Sequence, residues 1–479
     1  MAVRERFFSP MVLAPLHPRH WDYWKAAHLL QRVGFGGTVE EVEALYALGP
    51  EGAVHSLLNR REEPPYPAPE WAVPENLEQA RLDEMQLDEQ ERQALRRERQ
   101  KIQRQEYLQF VGWWLQRMLQ TNDPATEKLT LFWHGHFATS EQKVRDAYYL
   151  WLQYETLRSH AMGEFPALVK AILRDPAMLI YLDGDRSVPG NPNENFAREV
   201  MELFTLGEGN YTEHDIQEAA RAFTGYRINP ATQASRFAPL QHDDGMKVLF
   251  GQRGRFTGEE AIDIIVRQKA CAPFMSRKLL RYYVTENPSP ELVQAFAAEL
   301  LKQKFQIRPA LTALFRSAAF YAPDAVQIKG PVEWLIGSVR RLGASLPPYN
   351  VSFRMLSQMG QIPYQPPNVK GWDGGKTWIS TSTLFARYNY AAVLCGLEAI
   401  GRGRRSYRIR PTLFVTMPDA AHSDPSATVD YLARALYTRP LSPRERAPFE
   451  QFLQGKKSEP ATLARLAHLM MSTPQYQLS

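Results

Sequence analysis

Helical periodicity dominates the pattern of apolar and polar positions along the chain. Residues 21–33 place apolar side chains three and four positions apart, and the same spacing recurs up to residue 400 and again after residue 424. One stretch differs, because residues 235–250 read as extended segments on either side of Asp244-Gly245, a dipeptide typical of hairpin turns. The pattern predicts an all-α protein of many packed helices with one short β-hairpin near 235–250.

The longest periodic segment covers residues 77–120 and changes character halfway. Its first part is charged almost all round and its second part is rich in aromatic residues. We predict a long helix, unbroken or broken once, with a solvated half and a core-facing half; a helical arm that binds a partner is the alternative. The predicted organisation is an N-terminal helical segment with a proline-rich linker (1–76), this helix (77–120), a main helical domain (121–400) and an irregular segment with C-terminal helices (401–479).

Composition narrows the class of protein. Of the 479 residues, 44% are hydrophobic and 23% charged, which is typical of a soluble globular protein, and no apolar run is long enough to span a membrane. The net charge of +5 comes largely from arginines spread among acids, so nucleic-acid binding is not indicated. Cys271 and Cys395 lie in apolar helical contexts and are predicted to be buried thiols. The N-terminus shows no signal peptide, which makes the cytoplasm the default expectation.

The segment 191–204, "NPNENFAREVMELF", places polar groups on one helical face. Asn195, Arg198, Glu199 and Glu202 follow one another at three- and four-residue spacing. If this face points to solvent, these are ordinary salt-bridged residues. If it points inward, the carboxylates must be paired or bind a cation. In that case Arg198 would hold Glu202, and Glu199 would be free to act as a ligand or a base.

The segment 131–137, "LFWHGHF", carries two histidines on either side of a glycine. In a helix His134 and His136 would point about 200° apart, whereas at an extended helix end they would share a side. We expect the helix to end here, so that both imidazoles, joined by His242 of "HDDG", could bind one divalent metal ion such as zinc, iron or copper. The alternative is a histidine that only forms a hydrogen bond in the core.

A glycine-rich loop, "NVKGWDGGKTW", covers residues 368–378. Its glycines allow the backbone to approach a ligand closely, and its tryptophans offer stacking faces. Asn368, Lys370, Trp372 and Trp378 are therefore predicted to bind a substrate, together with Asn195 of the helical face at 191–204. The alternative is a loop that packs its tryptophans to close the core.

Four motifs taken together carry a family resemblance. "LFWHGHF", "NPNENFAREVMELFTLGEGNYTEHDIQEAARAFTGY", "LQHDDGMKVLFG" and "QPPNVKGWDGGKTWISTSTLFAR" occur in this order. The chain thus closely resembles, over nearly its whole length, the bacterial domain-of-unknown-function family numbered eighteen hundred. The resemblance implies no activity. It implies export for many members, often by a twin-arginine signal, and an alkaline-phosphatase-like partner protein, so a periplasmic location is the alternative to the cytoplasm.

Two functions are consistent with these motifs, which we expect to meet in space. In the first, a metal-assisted hydrolase, the cation activates water, Glu199 or Glu202 moves the proton, and Arg198 or Lys370 stabilises negative charge. In the second, a binding or accessory protein recognises a glycan, a peptide or the phosphatase-like partner without turning it over.

Overall fold

Reciprocal side-chain caps fix where several helices begin. Thr38 accepts a hydrogen bond from the backbone N–H of Glu41, and the Glu41 carboxylate accepts one from the Thr38 N–H (3.3 and 2.9 Å). Thr257 and Glu260 form the same pair. Each pair satisfies two backbone donors that have no partner inside their helix, which fixes the first turn of α2 Val39–Ala47 and of α13 Gly258–Val266.

The structure is a computed structural model that describes residues 12–60, 64–401 and 406–479. Three parts of the predictions lie wholly or partly outside these residues: the signal-peptide assignment at 1–11, the linker at 61–63 and the irregular segment at 402–405. The predicted domain boundaries stay predictions.

Within the described ranges the chain forms twenty-four α-helices. The first twelve are α1 Tyr23–Val33, α2 Val39–Ala47, α3 Gly49–Leu58, α4 Leu77–Met85, α5 Glu89–Gln120, α6 Pro124–His136, α7 Glu141–Val144, α8 Ala147–His160, α9 Phe165–Leu173, α10 Pro176–Tyr181, α11 Glu194–Glu199 and α12 Glu213–Ala222. The other twelve are α13 Gly258–Val266, α14 Cys271–Tyr283, α15 Pro290–Lys302, α16 Ile307–Arg316, α17 Pro331–Leu342, α18 Tyr349–Met359, α19 Thr381–Leu394, α20 Leu413–Thr416, α21 Pro425–Leu436, α22 Pro443–Leu453, α23 Pro460–Met471 and α24 Pro474–Gln477. The all-α class is confirmed.

Short strands occur between α12 and α13. They are β1 Tyr226–Ile228, β2 Ser235–Phe237, β3 Lys247–Leu249 and β4 Gln252–Gly254. β1 pairs antiparallel with β2, and β3 with β4. The second hairpin turns at Phe250-Gly251, where both residues have positive φ. The expected turn at Asp244-Gly245 is therefore wrong in position, because that dipeptide lies in the connection between the two hairpins.

The predicted long helix is confirmed, with one break at 86–88 between α4 and α5. Asp88 caps α5. The N-terminal half of α5 is largely exposed, and its C-terminal half buries Tyr107, Phe110 and Trp114. Among the helices that the structure describes, none combines the length and apolar character that crossing a lipid bilayer requires.

Helix α6 lies at the centre of the packing. Every residue from Pro124 to His136 is buried except Gly135. Its side chains enter both hydrophobic clusters of the core: Leu129 and Trp133 pack with α1–α3 and α8–α16, and Leu131 packs with α5 and α17–α24. A helix buried all round has no solvent to hydrate its polar side chains, so each of them needs a partner in the protein.

Glu127 shows how α6 meets this requirement. Its carboxylate is fully buried and accepts hydrogen bonds from Trp114 Nε1 (3.1 Å), Tyr154 Oη (2.8 Å) and Arg158 Nε (2.7 Å). Arg117 Nε lies 3.1 Å away as a second ion-pair partner. The carboxylate thereby ties α6 to α5 and α8.

We predict that Glu127→Gln lowers the free energy of unfolding by about 3 kcal/mol or more, because it leaves a buried guanidinium without its main counter-charge. Urea denaturation followed by circular dichroism measures the change. Lys143→Met, which removes a surface ion pair with Asp183, is the control and should stay within about 0.5 kcal/mol. A Glu127→Gln variant as stable as this control would contradict the structural role.

Candidate functional site

The two histidines of α6 do not share a side. The helix continues through His136, so the extended end that would turn both imidazoles together is absent. His134 packs against Trp114, Tyr364 and Trp372, and His136 packs against a different group of aromatic rings. The expectation that both rings face one ligand is wrong.

His134 is a hydrogen-bonding core residue. Its Nε2 accepts a hydrogen bond from the backbone N–H of Tyr364 (2.9 Å), and the two rings stack with centroids 4.4 Å apart. Burial lowers the pKa of His134 to about 3. The imidazole is therefore neutral at pH 7, and because its Nε2 accepts, its proton lies on Nδ1.

His136 is bound to the segment that follows α11. Its Nε2 lies 3.0 Å from the backbone carbonyl oxygen of Phe204. Burial and the nearby Lys278 ammonium lower the pKa of His136 well below 6.5. Its Nδ1 is buried and has no hydrogen-bond partner among the described residues.

The segment that binds His136 is a π-helical turn, Val200–Thr205, which continues α11. Leu206 N–H donates to Met201 O (2.7 Å) across the wider turn. The carbonyl of Leu203 accepts from Lys278 Nζ (3.1 Å), beside the Phe204 carbonyl that binds His136. Such turns are rare and often occur at functional sites. The sequence pattern did not predict this one.

The polar face of α11 is more exposed than the inward-facing alternative requires. Asn195 is exposed. Arg198 binds Glu213 with two hydrogen bonds (2.8 and 2.7 Å), so the pairing with Glu202 is wrong. Glu202 instead accepts from Tyr211 Oη (2.7 Å).

Glu199 is the carboxylate of this face without a hydrogen bond or ion pair to another described residue. Its side chain is half-buried, and burial together with the Glu202 charge raises its pKa. The positive charge of Lys370 in the glycine-rich loop lowers the pKa of Glu199 and so offsets part of this rise. The α11 motif and the loop are therefore neighbours, as expected.

The glycine-rich loop packs directly on the α6 backbone. A Cβ at Gly371 (φ +81°) would lie only 2.2 Å from the carbonyl oxygen of Gly135. Trp378 is buried and Trp372 half-buried, while Lys370 and Asn368 are exposed. The close contact between the backbones of Gly371 and Gly135 thus holds the loop against the C-terminal end of α6.

The third motif, "HDDG", contacts the motif that precedes it in the chain. His242 Nδ1 lies 3.1 Å from the Thr224 carbonyl oxygen, and the Asp243 carboxylate binds the Arg221 guanidinium (2.7 and 3.2 Å). These contacts fasten the connection between the hairpins to the end of α12. Since Arg221 and Thr224 belong to the 191–226 motif, "HDDG" meets that motif, and these contacts do not join it to "LFWHGHF" or to the glycine-rich loop.

A cavity of about 280 Å³ lies between the loop, α6, α14 and α17. From the predicted motifs it is lined by His136, Lys370, Trp372 and Trp378. Seven polar lining residues lie outside the predicted motifs: Lys278, Arg281, Tyr282, Glu286, Gln327, Glu333 and Gln361. The sequence held one signal for three of them: Lys278, Arg281 and Tyr282 are three and four positions apart, so they share one face of α14.

Buried cations gather behind one wall of this cavity. The Glu333 carboxylate forms an ion pair with buried Lys128. Arg32, Lys329 and Arg387 are also buried, and Glu333 is the acidic side chain that raises the pKa of each. The effect of burial is larger than that of the Glu333 charge. The pKa of Arg32 is therefore lowered to about 9, that of Arg387 to about 10 and that of Lys329 well below its usual range.

The predicted metal site is not supported. Over the described ranges, no group of three or more His, Cys, Asp or Glu side chains is placed to hold a metal ion. His134 and His136 bind different partners, and the His242 imidazole binds the Thr224 carbonyl oxygen instead of a shared ion.

Comparison with known proteins gives one match. The family model described as "Protein of unknown function (DUF1800)" matches residues 28–478. Neither the curated proteins nor the solved structures contain a significant match.

We predict that Gly371→Ala destabilises the protein by about 1–3 kcal/mol more than Gly190→Ala does, because the added methyl group overlaps the Gly135 carbonyl. Gly190 is the matched control: its φ is +85°, but a Cβ there meets nothing within 4 Å. Urea unfolding gives both values, and Trp372 fluorescence reports the loop. An equal loss of unfolding free energy in both variants would show that Gly371 is not in close contact with the α6 backbone.

We also predict that His134→Gln makes stability less dependent on pH in acid. The folded-state pKa of about 3 lies below the unfolded value of 6.5, so the unfolded chain binds the extra proton first. Wild type therefore loses about 1.4 kcal/mol per pH unit from this residue as pH falls from about 6.5 towards 3. Denaturation midpoints from pH 7 to 4 measure the slope. The same substitution at exposed His55 should leave it unchanged; an unaltered slope in His134→Gln would contradict the assignment.

Proposed function

Since the chain belongs to the DUF1800 family, whose description assigns no activity, we propose a function from the cavity itself: it binds a small organic anion, or the anionic end of a larger polar molecule. The observation that carries this proposal is the surplus of positive charge in and behind the cavity wall.

The lining itself carries three cations and three carboxylates, and a surplus arises because one of those carboxylates is already paired. Lys278, Arg281 and Lys370 line the cavity, against the carboxylates of Glu286 and Asp373. The third lining carboxylate, Glu333, is already paired with Lys128. A carboxylate, phosphate or sulfate group would meet more cations than anions here, and the partial burial of Lys278 would strengthen the attraction.

The cations behind the wall are the second source. Glu333 is the acidic side chain that raises the pKa values of Arg32, Lys329 and Arg387, but its carboxylate is paired with Lys128, and burial lowers the pKa of all three. An opposite charge nearby favours the protonated form of such groups. An anion bound in the cavity would supply that charge, so the fold itself favours an anionic occupant.

The aromatic residues of the lining favour an organic molecule over a bare ion. Trp372, Trp378, Tyr282 and Phe132 present ring surfaces around the same space. Cavities lined by aromatic rings with a few charged groups are typical of small-molecule sites. A sugar ring or another flat face fits this lining, in line with the glycan considered as one ligand from the sequence.

This proposal develops the hypothesis that the protein binds a ligand without turning it over. The metal-assisted hydrolase stays a hypothesis, and among the described residues no group is placed to hold its metal ion. Lys370, Trp372 and Trp378 keep their predicted role in ligand binding. Glu199, Glu202 and Arg198 are not among the lining residues, and we give them no role in binding. The alkaline-phosphatase-like partner and an exported location rest on the family resemblance alone.

We predict that sulfate and phosphate bind to the wild-type protein and that Lys278→Met weakens this binding at least tenfold, because it removes a partly buried cation from the cavity. Isothermal titration calorimetry and tryptophan fluorescence measure the affinities. Lys376→Met is the control, since Lys376 is an exposed lysine of the glycine-rich loop that does not line the cavity. Burial lowers the pKa of Lys278 to about 8, so the affinity for sulfate should also fall as pH rises through this value. Equal losses in both variants would contradict the proposal.

A further inference from the structure

Two neighbouring carbonyl groups of the π-helical turn hold two different side chains of the cavity. Phe204 O binds His136 Nε2 (3.0 Å), and Leu203 O binds Lys278 Nζ (3.1 Å). Both residues line the cavity, but His136 Nδ1 is closed to solvent, so a ligand must displace a neighbouring side chain to reach that atom. The turn therefore places an imidazole and an ammonium group side by side, and it restrains both through rigid backbone atoms.

The hydrogen bond to Phe204 fixes the state of the imidazole. A carbonyl oxygen can only accept, so the proton of His136 must lie on Nε2. A second proton on Nδ1 is opposed by burial and by the charge of Lys278. The Nδ1 atom thus carries a lone pair and can accept a hydrogen bond.

The described residues supply no donor for this lone pair. His136 Nδ1 is buried without a hydrogen-bond partner. The Lys278 ammonium lies in the same cavity, but the hydrogen bond found for it is to Leu203. A buried acceptor without a donor costs about 1–3 kcal/mol, a cost that a ligand donor would remove.

We infer that His136 Nδ1 accepts a hydrogen bond from a hydroxyl group of the ligand while Lys278 binds its anionic group. This inference rests on the proposed function and narrows the ligand to a class: organic anions that carry a hydroxyl group, such as sugar phosphates, sugar acids and hydroxy acids. An anion of the same size without the hydroxyl group leaves Nδ1 unpaired and binds more weakly.

Two phosphate monoesters with the same carbon number test the inference. Glycerol 3-phosphate carries hydroxyl groups and n-propyl phosphate carries none. By isothermal titration calorimetry, wild type should bind glycerol 3-phosphate about tenfold more tightly, the factor that one good hydrogen bond supplies. His136→Phe, which places another aromatic ring among Phe132, Phe137 and Phe204, should remove this preference, so that the variant binds the two esters with equal affinity.

Nitrogen NMR of the wild-type protein, labelled at histidine, gives a measurement independent of any variant. The Nδ1 resonance of His136 should have the shift of an unprotonated nitrogen and should move on addition of glycerol 3-phosphate but not of n-propyl phosphate. A protonated Nδ1, or equal responses to the two esters, would overturn the inference.

The outcomes separate the two proposals. If wild type binds both esters with equal affinity, or if His136→Phe keeps the preference, the inference fails and the anion site stands. If wild type binds neither ester, the proposed function fails and the inference fails with it.

Discussion

The architecture depends on the need to pair every polar group of a helix that is buried all round. Helix α6 carries Glu127, Lys128, His134 and His136 into the core, and each finds its partner on a different element. These partners are side chains of α5 and α8, the acid of α17, the backbone at Tyr364 and the π-helical turn. The polar side chains of one helix thereby determine how its neighbours are placed around it.

The same requirement explains why a cavity forms at one end of α6. At the N-terminal end the pairing is complete, since Glu127 is surrounded by donors. At the C-terminal end it is incomplete, because His136 keeps an acceptor without a donor. Incomplete pairing inside a protein is costly, and here it occurs beside a space lined by tryptophans and covered by a glycine-rich loop.

Local signals predicted the helices, and tertiary contacts determined what the sequence did not predict. Periodicity and capping pairs such as Thr38 with Glu41 are properties of neighbouring residues, so they can be recognised in the chain. The Asp244-Gly245 dipeptide formed no hairpin, because Asp243 binds Arg221 of a preceding helix. The π-helical turn has an ordinary helical pattern and depends on partners in α6 and α14. Of the candidate site, the loop and one histidine were predicted, whereas Lys278 resembles any lysine of an amphipathic helix.

The far-separated partners of α6 have a consequence for biosynthesis. The Tyr364 amide that binds His134 is 230 residues further along the chain. At ribosomal rates of about 5–20 residues per second, α6 emerges roughly 10–50 seconds before that partner exists. During this interval its apolar and polar side chains lack the surroundings of the finished core. Contacts between such distant residues slow folding and expose the nascent chain to aggregation, so the cellular yield of this protein will depend on chaperones that shield α6 until the second half of the chain has been made.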